Sequence, residues 1–96
     1  MQHLTRDLFL AAIAAQADTF DSHDIERYFY RHHQHELIRE FSTRLDAAYP
    51  VTETFRQLGL CLLSLNDAIT KVDEVETSSL AGSATKCALW RKITAP

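Results

Sequence analysis

Residues 51–93, VTETFRQLGLCLLSLNDAITKVDEVETSSLAGSATKCALWRKI, change their apolar period part-way along. From Val51 to about Asn66 the spacing is helical. Val51, Phe55, Leu58, Leu62, Leu65 and Ile69 form one stripe, with Cys61 on its flank. The opposite face carries Glu53, Arg56, Gln57, Leu60, Ser64 and Asp67, with Leu63 beside it. Gly59 costs roughly 1 kcal/mol inside a helix, which points to close approach by another backbone. Past Asn66-Asp67, the stretch Ala68–Val75 is rich in β-branched residues and favours a strand. Ile69, Val72 and Val75 are three apart, so continued helix also satisfies that stretch. Ser78–Ser83 reads as a loop. Lys86–Ile93 alternates, Cys87, Leu89 and Ile93 against Ala88, Trp90 and Lys92. The expectation is a helix, then a two-stranded hairpin with a long tip, with Trp90 in the core.

Upstream, Thr5 is placed to cap a first helix in which Leu8, Phe9, Ala12 and Ile13 share a face. Thr19-Phe20 is a short extended link. Asp21 or Ser22 caps the next helix, and Asp24 suits its positive end. Between Ser22 and Tyr49 there is no Gly or Pro, yet the apolar phase reverses. Ile25, Tyr28, Phe29 and His32 form one stripe; Ile38, Phe41 and Leu45, with Leu37 at its edge, form another nearly opposite. A break around His32–Glu36 accounts for this, and Pro50 stops the second piece, about Glu36–Tyr49. The tail Thr94-Ala95-Pro96 is expected to fray.

At 96 residues the chain fits one domain, and 46% hydrophobic content supplies a core. No apolar run approaches the roughly 20 residues of a membrane span, and the first residues do not read as a signal peptide. Cys61 and Cys87 are too few for a disulfide framework, so a reduced, cytoplasmic protein is expected. Net charge is −3: residues 1–50 hold five Arg and eight Asp/Glu, and residues 51–96 balance at five each. A dedicated DNA binder normally carries a basic surplus, because phosphate neutralisation supplies most of the affinity.

The element order, together with Phe55-Arg56-Gln57-Leu58-Gly59 and Ala88-Leu89-Trp90-Arg91, resembles a winged helix-turn-helix domain. The phrase Lys86-Cys87-Ala88-Leu89-Trp90-Arg91 is similar to the closing strand of small bacterial winged-helix proteins without assigned function. The resemblance covers most of the chain. It implies a mainly α domain over residues 1–96, α+β by its C-terminal β-hairpin, with three to four helices and a two-stranded wing. It makes residues 51–65 the recognition helix and Thr77–Thr85 the wing tip. The piece at about Glu36–Tyr49 departs from the minimal pattern.

Two functions fit such a module. As a sequence-specific regulator it would set Arg56 and Gln57 against guanine and adenine edges, with Thr52, Glu53 and Ser64 nearby and Lys71 and Lys86 on the wing stems. Glu53 would repel phosphate there, and Leu60 and Leu63 are odd neighbours for a polar groove. The same face suits a protein partner or a second copy of the chain, and this is the leading expectation. Tyr28, Tyr30 and Tyr49 are aromatics of the kind enriched at interfaces. The alternative is that Leu60 and Leu63 are covered within the chain.

His32-His33-Gln34-His35-Glu36 lacks the paired Cys of a structural zinc site. Arg39 occupies the second His position of a His-Glu-x-x-His motif. The cluster reads as exposed turn histidines, His32 partly buried, with a mild response to acid. No phosphate loop or nucleophile motif is present. The sequence therefore leads to a non-catalytic binding module with no cofactor, no metal, no small-molecule substrate and no membrane contact.

Overall fold

A computed structural model describes residues 1–93; the expected fraying of Thr94–Pro96 lies outside the described residues. Helix α1 (Arg6–Ala14) is capped by Thr5, whose Oγ1 accepts the Leu8 amide at 3.4 Å. It buries Phe9, Ala12 and Ile13. Strand β1 (Thr19–Asp21) leads directly into α2 (Ser22–His32). A capping box fixes that junction. Asp21 Oδ1 accepts the Asp24 amide at 2.9 Å, and Asp24 Oδ2 accepts the Asp21 amide at 3.0 Å. The chain breaks at His33, where φ/ψ of −139°/51° leave the helical region, and resumes as α3 (Gln34–Ser42). The break falls where the apolar phase reverses.

Helix α3 is shorter than expected and turned differently. Leu37 and Glu40 are its buried residues, whereas Ile38 and Leu45 face solvent. Glu40 is buried because its carboxylate has three donors: the amides of His3 and Leu4, the latter at 2.8 Å, and the guanidinium of Arg44 (Nη1–Oε2 2.9 Å). A polar anchor thus overrides the apolar stripe.

Pro50 does not stop α3, which ends at Ser42 well before it; it begins α4 (Pro50–Ser64), where its fixed φ and missing amide suit the first helical position. Leu58 and Leu62 are fully buried in α4, with Leu65 and Ile69 just beyond it. Val51, expected in the same stripe, is exposed, and Thr54 is buried instead, its hydroxyl bonded to Pro50 O at 2.9 Å. Gly59 has open space around the position of a Cβ, so the expected close backbone approach is absent.

Strands β2 (Ile69–Ser78) and β3 (Ala84–Lys92) form the hairpin, turned through Ser79–Ser83 with Gly82 at φ 88°. The helical alternative for residues 68–76 is excluded. The two-stranded wing is not the layout, however. Thr19–Asp21, expected as a mere link, pairs antiparallel with Arg91–Leu89, giving a three-stranded sheet in the order β1-β3-β2 beside four helices. Three residues are too few to show a strand period, so the pairing was invisible in sequence. Val72 is an extra residue between the Lys71–Trp90 and Asp73–Leu89 pairs, a bulge that bends β2.

The core lies where the four helices meet the root of the sheet. Phe9 and Phe29 pack edge to face at 5.0 Å, with Ile25, Leu58, Leu62 and Trp90 around them. Trp90 is buried as expected, and its indole N–H donates to Ser22 Oγ at 2.9 Å. Among the described residues no helix is long and apolar enough to cross a membrane.

Candidate functional site

Two regions carry chemistry. The first is the outward face of α4, where helical spacing brings Thr52, Glu53, Arg56, Leu60 and Leu63 together. Glu53 organises the polar part. Its carboxylate accepts Arg56 Nε at 3.0 Å, Arg56 Nη2 at 2.7 Å and Gln57 Nε2 at 3.3 Å. The forked bond from Arg56, then that from Gln57, holds the Glu53 carboxyl down at about 2. The two side chains expected to read bases are therefore both turned onto a neighbouring carboxylate.

Beside this neutralised group, Leu60 and Leu63 are 48% and 56% exposed, so they are not covered within the chain. Ser64 bonds back to Cys61 O at 2.6 Å. Lys71 on β2 pairs with Glu74 at 3.0 Å, and Lys86 on β3 stands opposite Glu76. Neither lysine bonds to the α4 group. Among the described residues Arg6, Arg27, Arg44, Arg56 and Lys71 all form ion pairs with carboxylates. Lys92 is directed to Gln16 O at 2.6 Å. Arg31, Arg39, Lys86 and Arg91 form no ion pair among the described residues, and none of them lies on α4.

The second region lies between α2, the start of α4 and the hairpin tip, and sequence reasoning missed it. The tip is bound to α2 at several points. His23 Nδ1 meets Thr77 Oγ1 at 2.7 Å, His23 Nε2 meets Thr85 Oγ1 at 3.2 Å, and Arg27 donates to Ser78 O at 2.7 Å. A cavity of about 240 Å³ on the far side of α2 is rimmed by Arg27, Arg31 and His32. The one under the tip, about 230 Å³, is lined by His23, Glu26, Val51, Thr52, Phe55, Ser79, Ala81 and Thr85.

Glu26 is 5% exposed, and its Oε1 has no hydrogen-bond partner among the described residues. Burial pushes its carboxyl up to about 7, and nearby Asp21 adds to this. The Leu80 amide and the Arg27 charge pull the other way. The sequence held a signal: Ser22, Ile25, Glu26 and Phe29 follow i, i+3, i+4, i+7 spacing, which puts a carboxylate inside an apolar stripe.

Compared with protein-family models, curated proteins and solved structures, the chain matches none.

Asp21, His23 and Cys87 place one potential metal ligand each within 4.8 Å of one another. These atoms are already engaged: Asp21 in the capping box, both His23 nitrogens on threonine hydroxyls, and Cys87 Sγ at 3.7 Å from Thr77 Oγ1. A metal would have to displace that network, so the set reads as the clamp on the hairpin tip. In the histidine cluster, His32 and His35 are exposed and His33, not His32, is the half-buried member, against Tyr28 and Phe29.

Proposed function

We propose that the chain is a non-catalytic binding module that engages a protein partner, with a second copy of itself as the simplest candidate, through the outward face of α4. One observation carries this reading. Leu60 and Leu63 present apolar surface beside an Arg56–Glu53 pair that is already satisfied. An apolar patch rimmed by internally neutralised charge suits a protein surface, whose interface core is depleted in charge. It suits a phosphate backbone poorly, because counterion release needs cations free to meet it. The net charge of −3 points the same way.

Light scattering across a range of protein concentrations tests the reading, with Leu60→Asp as the interface variant. Concentration-dependent mass that disappears in the variant supports it. A chain that stays monomeric throughout and binds random duplex DNA with steep salt dependence replaces it with the regulator reading. In that case Arg56, Lys71 and Lys86 become the residues to substitute.

A further inference from the structure

The hairpin is held differently at its two ends. On the Ile69 side of the Val72 bulge its root belongs to the core, where Ile69 and Trp90 are buried and β1 pairs with β3. Beyond the bulge, Asp73–Ser78 and Ala84–Leu89 include no fully buried residue. The outer end is fastened to α2 by polar groups. His23 takes Thr77 at 2.7 Å and Thr85 at 3.2 Å, and Arg27 donates to Ser78 O at 2.7 Å. Bonds of this kind exchange for bonds to water at small net cost, and a segment with little apolar burial opens locally before the core does.

Beneath this clasp lies Glu26. It shares a hollow with Ser79, Ala81 and Thr85 of the hairpin and Phe55 of α4, and the Leu80 amide bonds its carboxylate. Oε1 is closed to solvent and has no donor. Arg27, the next residue, does not supply one, because its guanidinium is held by Asp24 at 2.8 Å and by Ser78 O. A neutral carboxyl here leaves one polar atom unpaired. An ionised one leaves a buried charge with an unpaired oxygen, which is far less favourable. Lifting the hairpin end admits water to the carboxylate and removes that penalty. Closure and ionisation therefore oppose each other.

We propose that the hairpin end, Thr77–Thr85, is a strap held down over Glu26 by the proton on that carboxyl, and released about the Val72 bulge when the proton leaves. The ionisable groups around Glu26 are Asp21 from β1, His23 and Arg27 from α2, and Cys87 of β3 beside His23; α4 and Thr77–Thr85 bring none to the lining. Burial, with a smaller push from Asp21, outweighs the Leu80 amide and Arg27 and holds the closed carboxyl at about 7 against 4.5 in water. Closure is therefore fully favoured below 4.5 and weakens as pH rises toward 7. Acid leaves the clasp at His23 intact, because a protonated imidazole donates from both nitrogens and threonine hydroxyls accept.

The test is hydrogen exchange at the Leu80 amide of the full chain between pH 5 and pH 8, corrected for the intrinsic pH dependence of exchange. The carboxyl carbon resonance of Glu26 is followed in the same samples. Protection of Leu80 is expected to fall by about tenfold or more over this range and to level off above the midpoint of the Glu26 carbon. A fixed hairpin gives the opposite sign, since an ionised carboxylate bonds the Leu80 amide more strongly. The Ser79 amide, bonded to Ser83 O at 2.8 Å within the tip, should keep its protection, which separates lifting from melting of the turn. Glu26→Gln, which still accepts from Leu80 but cannot ionise, should show constant protection. If that variant folds poorly, the sign of the change and its levelling at the Glu26 midpoint in the parent chain decide the matter. Constant or rising protection of Leu80 in the parent, a fall that does not level at the Glu26 midpoint, or the same fall in Glu26→Gln overturns the proposal.

Discussion

The buried carboxylate of Glu40 accepts the backbone amide of Leu4 at 2.8 Å, joining the N-terminal segment to α3 across 36 positions of sequence. The same carboxylate holds the amide of His3 and the guanidinium of Arg44. Glu40 is 1% exposed, and Leu4 beside it belongs to the core. Glu40→Ala leaves two amides and a guanidinium without their anion, and should destabilise the fold by about 3–5 kcal/mol. Urea denaturation measures the loss. Hydrogen exchange at the Leu4 amide should rise toward that of an open terminus while Leu58 and Leu62 stay protected.

Two buried glutamates make stability depend on pH in opposite directions. Burial raises the carboxyl of Glu40, but the bonds from Arg44, Leu4 and His3 outweigh it, and the net shift is downward. Its contribution is present above the ordinary carboxylate range and is lost as pH falls through it. Glu26 is raised to about 7, so its contribution is full below the unfolded value of 4.5 and declines as pH rises through 7. Between them these residues favour a stability maximum near pH 5. Glu26→Gln, which cannot ionise, should match the parent at acidic pH and exceed it by about 1–2 kcal/mol at pH 8. Melting curves of both proteins at the two pH values show the difference.

The α4 face yields a charge test as well as an apolar one. Leu60→Asp and Leu63→Asp should each abolish association while leaving stability within about 0.5 kcal/mol, since both side chains stand largely in solvent. Glu53→Gln unties Arg56. Binding to random duplex DNA at low salt should strengthen in that variant relative to the parent, measured by fluorescence anisotropy with a salt series. Equal affinity in the two would mean that the Arg56–Glu53 pair does not govern contact with phosphate.

Gly59 lies mid-helix with free space where a Cβ would sit. Gly59→Ala should therefore stabilise the chain by roughly 0.5–1 kcal/mol through the backbone alone. In a domain of this size that corresponds to a melting temperature higher by about 2–8 °C.

Long periodic segments were legible in the sequence. The stripe Leu58, Leu62, Leu65 and Ile69, the caps at Thr5 and Asp21, the break at His33 and the burial of Trp90 all follow from residue spacing and capping chemistry. The misreadings share a cause, in that contacts from distant segments decided the outcome. Thr19–Asp21 became a strand because Leu89–Arg91 lies alongside it. Helix α3 turned about its axis because His3, Leu4 and Arg44 supply donors to Glu40. At the proposed sites, sequence placed Glu53, Arg56, Gln57 and Leu60 on one face but not the bonds that tie the first three together. The cavity at Glu26 depends on where the hairpin tip lands, and no local pattern encodes that.

The bulge at Val72 has a consequence for assembly. Strand β2 is an outer strand of the sheet, ten residues long, and a flat edge of that length invites a further chain to add itself. The extra residue bends that margin, and Lys71, Asp73, Glu74 and Glu76 stud it with charge. The other margin, β1, offers only three residues. Both borders are thus poor templates for runaway fibrous stacking.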